Sequence, residues 1–283
     1  MQIDPYLDRI EYHGSREPTT ETLRQLHRAH MLAVPFENLD IPLGQSIVLS
    51  LPSFYDKIVR HRRGGFCYEL NSLFGWLLEQ MGFRVVTLSA RVFDKGQPGS
   101  TFGHMVLMIE IEDRLIADVG FGESFLEPLQ LEMDTETIQQ GSAYRLTGIG
   151  PEKILERRLT SDWVSQYAFA LIPRRLDDFT AMCQQHQTSA TSIFTQKTVC
   201  SLATTTGRIT LSNNKLIKTS EWGHEEQEVT EESEYRALLK TEFGIDLNET
   251  LCVDRLMALG TPSVGGLEQK VDPIIFSVFL HPV

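Results

Sequence analysis

The stretch that decides the fold is Arg63-Gly64-Gly65-Phe66-Cys67-Tyr68-Glu69-Leu70-Asn71. Its two glycines permit a tight turn and the close approach of another group. From Cys67 to Met81 the apolar residues recur at steps of three and four, which predicts a helix that Gly82 stops. The sequence therefore places a cysteine in the first turn of a helix, where unpaired N–H groups and the helix dipole favour a thiolate.

A cysteine in this position can act as a nucleophile or simply pack in the core. Free cysteine is among the most buried residue types, so packing is the usual role. The glycine-led helix start favours the nucleophile at Cys67, because a thiolate attacks far more readily than a thiol. The sequence contains no Cys-x-x-Cys pair, and Cys183, Cys200 and Cys252 are expected to be free thiols.

A cysteine nucleophile needs a base, and His104 is the histidine best placed to provide one. It follows a Gly/Pro loop and opens an apolar strand, so a sheet could fix its ring beside a cleft. A purely structural role for His104 stays open. The other histidines lie in polar or helical surroundings and are expected at the solvated surface; they are His13, His27, His30, His61, His186, His224 and His281.

Asp118 supplies a third element, because a carboxylate near the end of a buried strand must be paired. It could cap the bend at Gly120 or accept the ring N–H of His104. Positions 104 and 118 share a face if a three-residue turn joins their strands, whereas a two-residue turn at Glu112-Asp113 would separate them. The sequence leaves both registers open.

The order of the predicted elements indicates an α+β fold. Helices are predicted over 20–32, 53–62 and 67–81, and strands dominate from Val85 onward. Near the end, a hairpin of strands 208–211 and 215–217 precedes an acidic stretch, 225–234, that is predicted to begin a helix ending at Gly244. Helices followed by strands and a mixed tail argue against alternating βαβ units.

Charge and hydropathy exclude two classes of partner. The 283 residues include 26 Lys and Arg against 38 Asp and Glu, a formal net charge of −12, which would repel a nucleic-acid backbone. No apolar run approaches the roughly 18 residues of a membrane-spanning helix. The N-terminus lacks the basic-then-apolar order of a signal peptide. We expect a cytoplasmic protein that binds neither nucleic acid nor membrane.

Three of these segments, in this order, resemble the arylamine N-acetyltransferase family. They are Val34-Pro35-Phe36-Glu37-Asn38-Leu39-Asp40-Ile41, the cysteine segment 63–71, and His104 followed by Asp118-Val119-Gly120-Phe121-Gly122. The resemblance runs from about Tyr6 to Phe243 and is weakest after Gly260. It implies an N-terminal helical bundle (1–84), a central β-barrel (85–190) and a C-terminal α/β lid (191–283) around a papain-like Cys-His-Asp core.

The resemblance also implies a two-step reaction with acetyl-CoA as co-substrate and no metal. Cys67 would take the acetyl group, His104 would hold the thiolate as an ion pair and shuttle protons, and Asp118 would orient His104. The acceptor would be the nitrogen or oxygen of a small arylamine, arylhydroxylamine or hydrazine.

The resemblance assigns further residues to binding and to support. Phe36 and Phe121 would line the acceptor and acyl pocket, and Gly122 would lie near CoA. Glu37 and Arg63 would form a structural ion pair.

Three other functions fit the same residues. An amide-forming acyltransferase of antibiotic biosynthesis would use the same triad on different acyl donors. A hydrolase would release free acetate without an amine. A non-catalytic protein that binds CoA or aromatic compounds would keep the fold and form no acetyl-cysteine.

Overall fold

The computed structural model describes residues 1–148, 150–159, 161–251 and 253–258. Cys252, His281 and the segment after Gly260 lie outside the described residues. Helices come first in the described chain and are followed by two antiparallel sheets, one of them barrel-like. The predicted α+β class is confirmed.

Four helices dominate the first part of the chain. They are α1 (Ile3–Arg9), α2 (Thr20–Ala33), α3 (Leu51–Tyr55) and α4 (Cys67–Gln80), with the short strand β1 (Phe36–Glu37) after α2 and a π-helical turn (Asp56–Arg60) that extends α3. Thr19 caps α2, since its side chain accepts the N–H of Thr22 at 3.2 Å. Helix α4 begins at Cys67, as the sequence predicts, and Gly82 follows its end with a φ of +88°.

The larger sheet is antiparallel and curls into a nearly closed barrel. Its strands are β2 (Arg84–Asp94), β3 (Gln97–Pro98), β4 (His104–Glu110), β5 (Arg114–Ala117), β6 (Leu129–Gln130), β7 (Thr137–Gln139), β8 (Ser142–Thr147), β9 (Glu152–Leu159) and β10 (Asp162–Pro173). The order across the sheet is β6-β5-β4-β2-β10-β9-β8-β7, and β3 pairs with β2. Strand β4 therefore lies inside the sheet, with β2 and β5 on its two sides.

The turn between β4 and β5 decides which residues share a face. Glu110 pairs with Arg114, so three residues, 111–113, form the turn. Because this register continues toward position 118, it brings His104 and Asp118 to the same face, one pleat apart. Of the two registers that the sequence leaves open, the three-residue turn is the one that allows the side chains of His104 and Asp118 to meet.

The last part of the described chain forms a smaller sheet with flanking helices. After a 3-10 turn (Leu176–Phe179) come α5 (Thr180–Thr188), α6 (Ile193–Gln196), β11 (Val199–Ala203), β12 (Gly207–Ser212), β13 (Lys215–Ser220), β14 (Gly223–Glu228), α7 (Glu232–Phe243) and α8 (Asp254–Ala258). The sheet order is β1-β11-β12-β13-β14, so β1 from the N-terminal part joins this sheet through the pair Phe36–Ser201.

The acidic stretch corrects one prediction. Its first half is strand β14, and the helix α7 begins only at Glu232. Pairing with β13 accounts for the strand, because Lys215 and Lys218 lie opposite Glu228 and Glu225 and offset their charge. Gly244 ends α7 with a φ of +68°, as predicted.

Three hydrophobic clusters hold these elements together. One joins the helices to the outer face of β4 and β5, one fills the barrel, and one lies between the smaller sheet and α7. No helix within the described part of the chain is long and apolar enough to cross a membrane.

Candidate active site

The glycine pair before α4 is required by close contacts on both sides. A Cβ on Gly64 would lie 2.0 Å from the carbonyl oxygen of Pro35, and one on Gly65 would lie 2.9 Å from Oε2 of Glu69. The same Glu69 oxygen accepts the N–H of Phe66 at 3.1 Å and so caps the first turn of α4. These contacts fix the start of α4, which carries Cys67, and Gly65 forms a bridge to Phe36 of β1.

Asn71, one turn after Cys67, ties α4 to the barrel. Its Nδ2 donates to the carbonyl oxygen of Met105 at 2.7 Å and to Oδ1 of Asp118 at 2.9 Å. Its Oδ1 accepts the N–H of Val119 at 2.9 Å. One buried amide therefore sets the position of the cysteine helix relative to both β4 and the end of β5.

Gly120 allows the chain after Asp118 to lie directly against α4. A Cβ at this position would be 2.8 Å from Cα of Cys67 and 2.7 Å from Nδ2 of Asn71. Real Cβ atoms essentially never approach so closely, so only glycine permits this packing.

His104 and Asp118 form a buried hydrogen-bonded pair. Nε2 of His104 donates to Oδ2 of Asp118 at 2.8 Å, and the N–H of Gly120 donates to Oδ1 at 3.0 Å. Burial acts to raise the pKa of Asp118, but the charge on His104 and the hydrogen bonds from His104, Asn71 and Gly120 outweigh it and hold that pKa below its ordinary value. The carboxylate is thus kept ionised beside the imidazole.

Burial opposes the ionisation that the helix start favours at Cys67. The residue is 3% exposed, and burial together with the charge of Asp118 raises the pKa of its thiol well above the ordinary value. Backbone hydrogen bonds at Met105 and Tyr68 act in the other direction and are too weak to compensate. Burial therefore works against the thiolate that the helix start favours, and we expect ionisation of Cys67 to depend on a proton acceptor nearby.

A cavity of about 310 Å³ joins the cysteine to the histidine. Cys67 and His104 both line it, as do Phe36 and Phe121, the residues expected to form the acceptor pocket. Gly122 does not line it and follows Phe121 with a φ of +76°.

Aromatic rings pack together beside the cavity. The Phe121 ring centroid lies 5.2 Å from that of His104, and Tyr167 lies 5.1 Å from His104 and 5.0 Å from Phe121. Phe66 packs against Phe194 at 5.9 Å and does not itself reach the cavity. Phe194 and His186 line the cavity, whereas Tyr167 does not; all three come from elements far along the chain and carry no sequence signal that would have linked them to Cys67. His186, predicted at the solvated surface, is half-buried here.

Two histidines predicted at the surface are fully buried. Nε2 of His27 accepts the backbone N–H of Asp118 at 3.1 Å, and its Nδ1 donates to the carbonyl oxygen of Leu126 at 2.8 Å. Burial lowers the pKa of His27 to about 4, and it also lowers that of His30. The burial of His27 could have been predicted from the sequence, because His27 lies four residues after Leu23 on the apolar face of α2.

A second buried cluster surrounds the other side of the glycine turn. Its members are Glu37, Asp40, Lys57, Arg63 and Glu69. The expected Glu37–Arg63 ion pair is present at 2.8 Å, and Lys57 Nζ lies 2.7 Å from Asp40 and 3.0 Å from Glu69. None of these five residues lines the cavity of Cys67.

Metal binding was not expected. Within the described ranges, no group of three or more His, Cys, Asp and Glu side chains could hold a metal ion.

Comparisons with known proteins point to one family. A family model described as N-acetyltransferase matches residues 19–252. Arylamine N-acetyltransferase 2 of Mesocricetus auratus is 34% identical over 279 residues, covering 89% of this chain and 96% of its own. Arylamine N-acetyltransferase 1 of Homo sapiens is 33% identical over 279 residues with the same coverage.

Solved structures agree with the sequence comparison. The arylamine N-acetyltransferase of Mycobacterium marinum superposes with a TM-score of 0.84 at 32% identity, covering 91% of this chain and 97% of its own. A structure of that enzyme in complex with CoA has the same TM-score and coverage at 31% identity. With its cysteine at a helix start and its His-Asp pair on the adjoining barrel, this chain belongs to the arylamine N-acetyltransferase family of acyltransferase enzymes.

Proposed function

We propose that this enzyme transfers acetyl from acetyl-CoA to the nitrogen of arylamines and hydrazines, or the oxygen of arylhydroxylamines, through an acetyl-Cys67 intermediate. The observation that carries the proposal is that Cys67 and the Asp118-bound His104 line one cavity. The CoA complex of the Mycobacterium marinum relative supports CoA as the co-substrate.

In the first step, Cys67 is acetylated. Since Nε2 of His104 is taken by Asp118, Nδ1 is the nitrogen left to accept the proton of the thiol. The sulfur attacks the thioester carbonyl, and the CoA sulfur leaves with the proton from the imidazolium. Buried Cys67 ionises only as a pair with His104, and the ionised Asp118 stabilises the imidazolium while it exists.

In the second step, the acceptor nitrogen attacks the acetyl carbonyl of the intermediate. The amine gives up one proton to Nδ1 of His104, and the Cys67 sulfur leaves and regains its proton. Backbone N–H groups in the first turn of α4 are the proposed donors to the carbonyl oxygen in both steps. Asp118 holds the same ring orientation throughout.

The cavity wall suits an intermediate that must wait for an amine. Exchange of one thioester for another is nearly balanced in energy, so acetyl-Cys67 persists unless water reaches it. Phe36 and Phe121 are proposed to exclude water and to contact the aromatic ring of the acceptor. Because the chain is acidic overall, we propose that CoA binds mainly through backbone N–H groups near Gly122 and apolar contacts to its pantetheine.

Intact-mass measurement after incubation with acetyl-CoA tests the proposal. We expect one acetyl adduct, which is lost on adding aniline with formation of acetanilide, and no adduct in Cys67→Ala. Cys183→Ala, which removes another buried thiol, is the matched control and should behave as the unchanged enzyme.

The other outcomes each identify a different protein. Acetate released without amine would show a hydrolase. An adduct formed only from larger acyl donors and inert to small arylamines would show an amide-forming acyltransferase. Binding of CoA without any adduct would show a non-catalytic binder, and each of these results would overturn the proposal.

A further inference from the structure

A buried histidine of α2 holds the main chain of Asp118. The strand pairing of β5 ends at Ala117, so the N–H of Asp118 lies just beyond both neighbouring ladders. That N–H donates to Nε2 of His27 at 3.1 Å. His27 is fully buried and does not line the cavity, so any effect that it has on the reaction passes through the residues that it contacts.

Three successive N–H groups after β5 have three different acceptors. The N–H of Asp118 donates to His27. The N–H of Val119 donates to Oδ1 of Asn71. The N–H of Gly120 donates to the carboxylate of Asp118. His27 is thus the group that holds the main chain of Asp118, and removing its ring would leave a buried N–H without its acceptor, which is costly.

The two hydrogen bonds of His27 require one form of its ring. A backbone N–H always donates and a carbonyl oxygen always accepts, so Nε2 is the bare nitrogen. Nδ1 carries the hydrogen and donates to the carbonyl oxygen of Leu126 at 2.8 Å. An imidazolium would have no nitrogen left to accept the N–H of Asp118. Burial lowers the pKa of His27 to about 4, so the neutral ring that this arrangement needs is present at neutral pH.

Both ends of one loop bond to this ring. Residues 118–126 follow β5 without regular secondary structure, and the first and the last of them are the two that bond to His27. Within the loop, Phe121 lines the cavity, and its ring centroid lies 5.2 Å from that of His104. The loop therefore carries both the carboxylate that orients His104 and one aromatic residue of the cavity lining.

Aromatic packing fixes the plane of the imidazole. The ring of Phe125, in the same loop, stacks on it with centroids 5.6 Å apart and an interplanar angle of 16°. The ring of Phe74 meets it edge-on at 5.8 Å. Because Phe74 lies on α4, the helix that begins at Cys67, His27 connects α2, the cysteine helix and the Asp118 loop at one point.

We propose that His27 is a positioning residue for acetyl transfer, which holds the main chain of Asp118 so that its carboxylate meets Nε2 of His104. A small displacement of that main chain would turn the imidazole of His104 away from Cys67 and slow the reaction. This inference rests on the proposed function, because it concerns the rate at which acetyl-Cys67 forms.

Three substitutions of His27 separate its two hydrogen bonds. Glutamine reaches the position of Nε2 and keeps an acceptor for the N–H of Asp118. Asparagine reaches only the position of Nδ1 and keeps the bond to Leu126, and leucine keeps neither bond. We expect acetylation of Cys67 by p-nitrophenyl acetate, measured per folded molecule, to fall about tenfold to 100-fold in His27→Asn and His27→Leu. His27→Gln should stay within about threefold of the unchanged enzyme.

His30→Leu is the matched control on the same helix. His30 is as fully buried as His27 and packs against the same Phe74 ring at 5.4 Å, but its hydrogen bond goes to the hydroxyl of Tyr6 at 2.9 Å. We expect urea denaturation to show a loss of stability in both leucine variants, and the acetylation rate per folded molecule to fall in His27→Leu alone. A merely structural role for His27 would make the two variants alike.

Two further results would overturn the assignment of His27. One is an acetylation rate per folded molecule that stays within about twofold of the unchanged enzyme in both His27→Asn and His27→Leu. The other is a rate for His27→Gln as low as that for His27→Asn, and this comparison decides alone if His27→Leu does not fold. Absence of any acetyl adduct in the unchanged enzyme would instead refute the proposed function.

Discussion

Two buried clusters of charge meet at the glycine turn before α4, and they differ in how their charges are compensated. The cluster of Glu37, Asp40, Lys57, Arg63 and Glu69 contains three acids and two bases, and all five are joined by ion pairs of 4 Å or less. The Cys67-His104-Asp118 site contains one ion pair and a thiol that opens onto an apolar cavity.

The difference distinguishes charged groups that pair only within the protein from groups that face a cavity where a ligand can bind. In the five-residue cluster every side chain pairs with at least one other member, and none of the five lines the cavity, so these charges do not face a ligand there. In the cavity, Cys67 and His104 both face space that a ligand can enter, and burial raises the pKa of the Cys67 thiol while Asp118 stays ionised beside His104. Substitutions in the two clusters should accordingly affect different measurements.

Asp118→Asn should have the largest effect, a decrease in the rate of acetyl transfer. Loss of the carboxylate removes the acceptor that orients His104 and stabilises the imidazolium, and we expect kcat/KM for acetyl transfer to fall about 10³-fold to 10⁴-fold. Steady-state kinetics with aniline and acetyl-CoA provide the measurement, with Asp113→Asn as the control. A loss smaller than about tenfold would show that His104 does not depend on Asp118.

Arg63→Met should have the next largest effect, a decrease in the stability of the fold. Removing Arg63 leaves Glu37 with only Lys57 at 3.8 Å and takes one of the two cations from Asp40, which costs about 3–5 kcal/mol in free energy of unfolding. Urea denaturation measures the cost. The double variant with Glu37→Gln should recover part of it, and the pH profile of the remaining folded enzyme should not move. No difference between the single and double variants would contradict the pairing.

Glu69→Gln should change how stability depends on pH. Burial, with the charges of Asp40 and Glu37, raises the pKa of Glu69 from 4.5 to about 7, and Lys57 only partly opposes it. The folded state thus holds this proton more tightly than the unfolded state. The contribution of this bound proton to the free energy of unfolding is complete below pH 4.5. It is lost as the pH rises through 7, a decline of about 3 kcal/mol.

Denaturation curves at several pH values between 4.5 and 8 measure that decline. In the Gln variant, which still has an oxygen to accept the N–H of Phe66, the decline should be smaller. Identical pH dependence in both proteins would show that Glu69 is already ionised in this range.

Gly120→Ala should have the smallest effect and should lower both the stability and the rate of acetyl transfer. Its Cβ would displace α4 from the chain after Asp118, which we expect to cost about 1–3 kcal/mol in stability and a factor of about ten in kcat/KM. Gly75→Ala, in the same helix with only ordinary contacts of 3.5 Å or more, is the matched control. Equal behaviour of the two variants would refute the close packing at Gly120.

Local patterns in the sequence predicted the elements that carry the site. The start of α4 at Cys67, the strand that begins at His104 and the Asp118 segment all follow from glycines and from hydrophobic periodicity, which act over a few residues. Strand β14 was not predicted, because an acidic run is typical of the solvated start of a helix. Only the pairing with the lysine-bearing strand β13 shows that it is a strand.

The sequence by itself determined the order of the reacting groups and the type of element on which each one lies, because backbone preferences are local. The tertiary structure decided the three-residue turn register, the burial of His27 and the raised pKa of Cys67. Desolvation and hydrogen bonding between distant segments control these properties, so they depend on which elements pack together and cannot be inferred from any one segment.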